Sequence, residues 1–246
     1  MSNTTRFIAI IPARFASTRF PGKPLAKLGD KCIIQHVYER VKTVFEQAYV
    51  ATDDERIANE VERFGGKYIM TGSHHQSGTD RCYDALCQLG EKKYDVVVNI
   101  QGDEPNVEHS QIETLVSCFG DGATQIATLK KQILSKEELF SPNVVKVVCS
   151  SSGDAFYFSR CPIPYMRGCE QDQWLEKHKY YKHIGIYAYT FETLQKLVKL
   201  EQTSLELAES LEQLRWIENG YTIKVEETMV ENIAIDTPED LLKLKK

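Results

Sequence analysis

Along the first half of the chain, segments with the apolar pattern of strands alternate with segments that have the periodicity of helices. Short β-type runs at residues 7–12, 48–51, 67–70 and 96–100 predict strands, and the run at 96–100 is apolar and β-branched enough for the centre of a parallel sheet. Helical periodicity between these runs predicts helices at residues 33–45, 55–64, 80–89 and 108–118. Strands that alternate with helices in this way predict a parallel sheet with right-handed crossovers.

The rhythm changes from about residue 124 onwards, where strands follow one another with few helices between them. We predict strands at residues 126–130, 144–148, 155–158, 184–189 and 223–227, and helices near 191–198, 205–218 and 238–244. A connection rich in Pro, Arg and Tyr spans residues 161–181. The pattern predicts one α/β domain over residues 1–246, with a nucleotide-binding part at about 1–125, a mixed-sheet insertion at about 126–230, and a final strand and helix at 231–246 that return to the core.

Composition narrows the class of protein. The chain has 246 residues, 42% of them hydrophobic, and a formal net charge of −5, which argues against bulk electrostatic binding of nucleic acid. Its seven cysteines form no Cys-x-x-Cys pair, which is typical of a reduced cytoplasmic protein without a zinc site. Neither a signal-peptide core nor a membrane-spanning run is evident, so we expect a cytoplasmic location.

A cationic segment directly follows the first predicted strand. Arg14, Arg19 and Lys23 lie within ten residues, among two prolines and a glycine. Arginine forks and a lysine at the carboxyl end of a strand suit a polyphosphate. A solvated basic loop without a ligand is the alternative. The segment has neither the Gly-x-Gly-x-x-Gly fingerprint of dinucleotide-binding enzymes nor a Walker loop.

Two carboxylates at strand ends are candidates for binding a metal ion. Asp103 follows the strand at residues 96–100 and shares its sheet edge with the cationic segment, where a carboxylate and phosphate oxygens together suit Mg²⁺. A simple turn before Pro105 is the alternative. Asp236 ends the last β run, but Thr237 and Asp240 resemble a capping box, so helix capping is an equal explanation there.

Taken together and in order, these segments resemble the 3-deoxy-manno-octulosonate (Kdo) cytidylyltransferases over nearly the whole chain. The resemblance implies a Rossmann-like nucleotidyltransferase fold, a cytoplasmic homodimer, and Mg²⁺-dependent transfer of CMP from CTP to Kdo for lipopolysaccharide synthesis. The matching blocks are residues 10–24, 51–53, 70–79, Asn99-x-Gln-Gly-Asp-Glu-Pro105, Asn143-x-Val-Lys146-Val-Val, Tyr157-Phe-Ser-Arg160, His183-x-Gly-Ile-Tyr187, Leu211-Glu-Gln-Leu-Arg215 and Asp236-Thr-Pro-Glu-Asp-Leu241.

The same resemblance assigns roles to individual residues. It implies a nucleotide site of Arg14, Ser17, Arg19, Lys23, Gln76, Ser77, Gly78, Thr79, Arg81 and Asp103. It implies a sugar-acid site, in the insertion and its neighbours, of Gln101, Arg160, His183, Tyr187, Glu212 and Gln213. Asp103 and Asp236 become the Mg²⁺ ligands, and Lys23, Arg14, Asp103 and Asp236 the catalytic set.

The expected reaction is attack by the anomeric hydroxyl of Kdo on the α-phosphorus of CTP, in line with departing pyrophosphate. Positioning and charge neutralisation dominate such a transfer. We expect Arg160 and His183 to meet the sugar's carboxylate, although a histidine opening an apolar strand is often structural. Two alternatives stay open: a related acceptor such as 8-amino-Kdo or sialic acid, and a non-catalytic nucleotide-binding regulator.

Overall fold

The computed structural model describes residues 5–16, 20–90, 93–231, 235, 237, 238, 240 and 241. Over these residues the strands are β1 (Phe7–Ala13), β2 (Lys27–Leu28), β3 (Lys31–Cys32), β4 (Ala48–Thr52), β5 (Tyr68–Met70), β6 (Val96–Asn99), β7 (Ile126–Gln132), β8 (Lys146–Cys149), β9 (Ala155–Ser159), β10 (Tyr181–Thr190) and β11 (Lys224–Glu227). The helices are α1 (Ile33–Lys42), α2 (Glu55–Arg63), α3 (Gly78–Leu89), α4 (His109–Ser117), α5 (Lys136–Phe140), α6 (Trp174–Lys177), α7 (Phe191–Leu197), α8 (Ser204–Glu209) and α9 (Glu212–Glu218).

One large mixed sheet forms the centre of the molecule. Its strand order is β11-β7-β10-β6-β1-β4-β5, and β8 and β9 extend from β10. Strands β6, β1, β4 and β5 are parallel, whereas β10 runs antiparallel to both of its neighbours, β6 and β7. The predicted α/β class, with a mostly parallel sheet and a mixed-sheet insertion, is confirmed.

The central strands are apolar on both faces because helices cover both. On β1, Ala9 and Ile11 pack into one core cluster with α1 and α4, and Ile8 and Ile10 pack into the other with α3. All four residues have no exposed surface. This two-sided burial explains why the strand appears in the sequence as a continuous apolar run rather than an alternating one.

The predicted helix over residues 205–218 is wrong: the structure has two helices there. Ser210 adopts a left-handed conformation at φ 52 and ends α8, and α9 begins at Glu212. Glycine is the residue that usually indicates such a helix end, so a serine in this position did not predict one.

Two local features add to the predicted pattern. The cap of α2 is Asp54, whose carboxylate accepts a hydrogen bond from the Arg56 amide at 2.9 Å. The connection at residues 161–181 contains α6, whose Trp174 is buried in a small apolar cluster with Ile133 and Tyr180. Among the described residues, no helix combines the length and apolar character needed to cross a membrane.

Candidate active site

The cationic segment begins where β1 ends at the carboxyl edge of the sheet. The Nη1 group of Arg14 donates to the carbonyl of Gln76 at 3.3 Å. Lys23 is almost fully buried, and its ammonium group donates to the Oδ2 atom of Asp103. The loop turns at Gly22, whose φ of 70 is a left-handed conformation that favours glycine. Ser17 and Arg19 lie outside the described residues.

Asp103 is held at this edge by two backbone contacts that join three segments of the chain. The amide of Gly102 donates to the carbonyl of Pro12 at 3.2 Å, and a Cβ atom on Gly102 would lie only 3.0 Å from that oxygen. The amide of Ile235 donates to the carbonyl of Asp103, also at 3.2 Å. The glycine therefore permits the close approach of the β6 loop to β1 that the Lys23–Asp103 contact requires.

The second predicted metal ligand, Asp236, lies outside the described residues. The neighbouring capping box is confirmed, because the Asp240 carboxylate accepts from the Thr237 amide at 3.0 Å and the Thr237 hydroxyl accepts from the Asp240 amide at 3.3 Å. Helix capping in this segment involves Thr237 and Asp240. It is therefore compatible with a metal-binding role for Asp236, which stays a prediction.

A second loop approaches the cationic segment at the start of α3. Ser77 caps the helix: its hydroxyl accepts from the Asp80 amide at 3.1 Å, and the Asp80 carboxylate accepts from the Ser77 amide at 3.2 Å. A Cβ atom on Gly78 would lie 3.2 Å from both the Gln101 side chain and the ring of Pro12. The loop of Gln76, Ser77 and Gly78 therefore lies directly over the ends of β1 and β6.

Arg81 lies deeper than the rest of this loop. It has no exposed surface, and its guanidinium group donates to the Thr71 hydroxyl at 2.6 Å and to Asp53 Oδ2 at 3.1 Å. The nucleotide contact implied for Arg81 stays a prediction. The side chain connects the carboxyl ends of β4 and β5 to α3, which carries the loop.

Glu212 and Gln213, in the first turn of α9, approach the same loop from the insertion. The Thr79 hydroxyl donates to Glu212 Oε2 at 3.0 Å, and Gln213 is 6% exposed. Burial raises the pKa of the Glu212 carboxyl, although the hydroxyl groups of Thr79 and Ser77 act in the opposite direction. Glu212 also lines a cleft of about 600 Å³ together with Gln76 and Ser77.

Two of the three tyrosines of β10, Tyr187 and Tyr189, pack together in the interior. Tyr187 and Tyr189 stack with ring centroids 5.8 Å apart, and both contact Trp216. Tyr187 retains 7% exposure and Tyr189 none. Both rings are therefore buried, and the sugar-acid contact implied for Tyr187 stays a prediction.

Arg160 follows β9, and its amide donates to the Glu209 carboxylate at 2.9 Å, whereas its guanidinium group is oriented by backbone carbonyls. Its Nε group donates to the Glu209 carbonyl at 2.7 Å, Nη1 to the Pro142 carbonyl at 2.9 Å, and Nη2 to the Ser210 carbonyl at 3.3 Å. The left-handed conformation of Ser210, which ends α8, turns its carbonyl into this set. The guanidinium charge remains available to an anion, because neutral carbonyl groups hold it.

His183 lies beside Tyr187, with ring centroids 5.3 Å apart. Burial lowers the pKa of its imidazole to about 3, so the ring is neutral near pH 7. It can therefore offer a hydrogen bond to an acid substrate but no positive charge.

Comparison with known proteins places this geometry in a family. A family model described as cytidylyltransferase matches residues 8–231. The 3-deoxy-manno-octulosonate cytidylyltransferase of Phocaeicola vulgatus is 58% identical over 97% of this chain and 95% of its own. The protein of the same name from Bacteroides thetaiotaomicron is 56% identical over 96% of this chain and 95% of its own. The chain belongs to the 3-deoxy-manno-octulosonate cytidylyltransferases.

A solved structure of this family matches the whole fold. It is described as CMP:2-keto-3-deoxy-manno-octonic acid synthetase complexed with CTP, and it superposes with a TM-score of 0.90 at 42% identity, covering 98% of this chain and 97% of that one. The nucleotidyltransferase fold expected for this cytidylyltransferase is thereby confirmed.

The described residues fit the Mg²⁺ ion that the family implies. No cluster of three or more His, Cys, Asp or Glu side chains that could hold a metal ion occurs among the described positions. Asp103 nevertheless offers a partly exposed carboxylate beside the ammonium group of Lys23. One or two carboxylates completed by phosphate oxygens are the usual donor set for Mg²⁺ in nucleotide sites. The chemistry of this donor set therefore fits.

Sequence reasoning missed several residues that shape the cytidylyltransferase site. Lys146 has no exposed surface and donates to the carbonyls of Ser141 and Val144 at 2.8 and 2.6 Å, on either side of the Pro142 carbonyl that holds Arg160. A lysine inside a run of valines was the available signal for such burial. Nothing in the sequence around Thr128 predicted its contact with His183.

Proposed function

We propose that this protein transfers CMP from CTP to the anomeric hydroxyl of Kdo and releases pyrophosphate. The observation that carries the proposal is the Lys23–Asp103 contact at the shared edge of β1 and β6, beneath the loop that Arg14 joins to Gln76. A phosphate-binding cation and a metal-binding carboxylate are both needed for such a transfer, and the description of the structural relative as a complex with CTP supports CTP as the nucleotide.

In the nucleotide half, the chain's own residues supply charge and position. When CTP binds, the ammonium group of Lys23 exchanges Asp103 for phosphate oxygens, and Arg14 and Arg19 neutralise the charge that develops on pyrophosphate. Asp103 and Asp236 would hold Mg²⁺, with Ser17 and the loop of residues 76–79 around the nucleotide. Bound Mg²⁺ supplies Lewis-acid activation and charge neutralisation at the reacting phosphate.

In the acceptor half, Arg160 supplies the positive charge for the sugar's carboxylate. Gln101, Tyr187, Glu212 and Gln213 hydrogen-bond the remaining polar groups and orient the anomeric hydroxyl. An acceptor fixed in this way meets the nucleotide in the geometry of an in-line displacement, and positioning of this kind is the main source of rate in phosphoryl transfer.

The choice of Kdo over related acids rests on the relatives, whose names all specify 3-deoxy-manno-octulosonate. Their agreement disfavours 8-amino-Kdo, sialic acid and a regulator without activity. Kdo as the acceptor in turn supports a cytoplasmic role in lipopolysaccharide synthesis. We retain the division into a nucleotide part at about 1–125, an acceptor part at about 126–230 and a closing segment at 231–246.

The acceptor part also carries the surface that we propose for a homodimer. Leu134, Phe156 and Tyr165 are 73%, 65% and 74% exposed, and all three lie in the insertion. Large exposed apolar side chains in one region are typical of an interface. Sedimentation of the wild type and of Tyr165→Ser tests this, because a monomeric wild type would overturn the homodimer proposal.

The activity is tested by pyrophosphate release from CTP and Mg²⁺ with Kdo, 8-amino-Kdo or sialic acid as the acceptor. Release with Kdo in clear preference to the others supports the proposed reaction. Release only with another acid overturns the choice of acceptor. A folded protein that binds CTP and releases pyrophosphate with none of the three overturns the enzymatic assignment.

A further inference from the structure

A buried threonine on β7 lies where β10 departs from regular pairing. The pairing of β7 with β10 shifts its register between Ile184 and Tyr187. At this bulge the Oγ1 atom of Thr128 lies 3.0 Å from the carbonyl oxygen of Ile184, 2.8 Å from that of Ile186 and 3.0 Å from Nε2 of His183. Thr128 has no exposed surface, and the hydroxyl group of Tyr187 also interacts with its side chain.

The number of hydrogens in this group of atoms determines the tautomer of His183. A threonine hydroxyl has one hydrogen to donate, and a carbonyl oxygen can only accept. If the hydroxyl donated to Nε2, the carbonyls of Ile184 and Ile186 would both face the lone pairs of Oγ1 at hydrogen-bonding distance. If Nε2 carries the hydrogen, it donates to Oγ1 and the hydroxyl donates to a carbonyl. The second arrangement is favoured, because it leaves one carbonyl oxygen rather than two facing the lone pairs of Oγ1.

The other ring nitrogen is then an acceptor. Among the described residues, Nδ1 of His183 has no hydrogen-bond partner, while Phe158 and Tyr187 contact the ring at centroid distances of 5.1 and 5.3 Å. The burial that lowers the pKa of the imidazole to about 3 supports the neutral form. A neutral ring with its proton on Nε2 presents a lone pair at Nδ1 and can receive a hydrogen bond there.

We propose that Thr128 is a positioning residue that fixes His183 as the Nε2–H tautomer, so that Nδ1 accepts a hydrogen bond from a hydroxyl group of the acceptor sugar. This inference rests on the proposed acceptor pocket. It adds a hydroxyl contact from His183 to the carboxylate contact of Arg160. An acceptor that lacks the hydroxyl leaves a lone pair without a donor, which disfavours its binding.

The tautomer can be measured without any substrate. In protein labelled with ¹⁵N-histidine, two-bond ¹H–¹⁵N correlation identifies the unprotonated nitrogen of each of the six histidines, and His183→Gln assigns the signals of His183. We expect the unprotonated nitrogen to be Nδ1 in the wild type and in Thr128→Ser, which retains a hydroxyl. Thr128→Val should lose this preference. A wild type with its proton on Nδ1, or on both nitrogens at pH 7, overturns the inference.

Kinetics provides the second test. Thr128→Val should raise KM for the acceptor by about tenfold, the equivalent of one hydrogen bond, and leave KM for CTP within about twofold. Thr193→Val is a matched control, since Thr193 is also buried and accepts a hydrogen bond from Thr190, but it lies in the first turn of α7, beyond the end of β10. An equal rise of acceptor KM in both variants overturns the positioning role.

The two proposals fail in distinguishable ways. A protein that transfers CMP to none of the acids, while His183 keeps its proton on Nε2, overturns the reaction and the hydroxyl contact together. A protein that uses Kdo, with the proton of His183 on Nδ1, overturns the role of Thr128 and leaves the reaction standing. If Thr128→Val does not fold, the wild-type and Thr128→Ser spectra still decide the tautomer.

Discussion

The ion pair between Glu206 of α8 and Arg215 of α9 should be a large single contribution to the stability of the insertion. The guanidinium group binds both carboxylate oxygens, at 2.7 and 2.6 Å, and the two side chains are only 8% and 14% exposed. A third contact joins Arg215 Nη1 to the Leu200 carbonyl at 3.0 Å. The pair thus connects α8 to α9, the two helices on either side of Ser210.

Replacing Glu206 by leucine leaves a nearly buried guanidinium without its counter-charge. Breaking a fully buried pair in this way costs about 3–5 kcal/mol, whereas exposed pairs contribute about 0–1 kcal/mol. The residual exposure of this pair puts Glu206→Leu near the lower end of the buried range, at about 3 kcal/mol. For a chain of this length that corresponds to a fall in Tm of about 6–12 °C.

The measurement is a double-mutant cycle from thermal and urea unfolding. Glu206→Leu combined with Arg215→Met removes both charges and should recover at least half of the loss, because no uncompensated charge remains. Lys31→Met is the control, since its pair with Glu39 is 37% and 44% exposed and should matter by less than about 1 kcal/mol. A Glu206→Leu protein that loses no more stability than Lys31→Met would refute the reasoning.

Three further predictions concern the site. Asp103→Asn should lower kcat by at least about a hundredfold, or roughly 3 kcal/mol, and a variant with wild-type pyrophosphate release contradicts a metal-binding carboxylate. Lys23→Ala should lower kcat more than it weakens CTP binding measured by titration calorimetry, and an effect on affinity alone moves Lys23 to a binding role. The folded-state pKa of His183, about 3 against an ordinary value of 6.5, makes the unfolded chain bind the extra proton between these values. Stability should therefore be fully present above pH 6.5 and fall as the pH drops through this window, and His183→Gln should flatten that fall in urea unfolding measured at several pH values.

The parts of the fold that the sequence predicted are those determined by nearby residues. The continuous apolar runs of β1 and β6 are apolar because both faces are covered, and that cause is visible in the run itself. The chemistry at their carboxyl ends followed from topology, which brought Lys23 and Asp103 together as expected. These inferences needed only the order of the elements and the edge at which ligands bind.

The remaining features depend on partners far along the chain. Thr128 and His183 are 55 residues apart and meet only through the shifted register of β7 and β10. The burial of Arg81 follows from the positions of Asp53 and Thr71 at neighbouring strand ends. The break at Ser210 follows from the packing of α9 rather than from the helix propensity of residues 205–218, because tertiary contacts override weak local preferences.

Strand β10 determines how substrates can enter and leave. Its ten residues pair with β7 on both sides of the bulge between Ile184 and Tyr187, with β8 at Lys182, and with β6 from Tyr187 to Thr190. The nucleotide side and the acceptor side therefore share one continuous strand, and its hydrogen bonds on either side of the bulge would have to break for the two halves to rotate apart. A hinge motion between the nucleotide side and the acceptor side is thus disfavoured. We expect the loops around the site to move instead when substrates enter and leave.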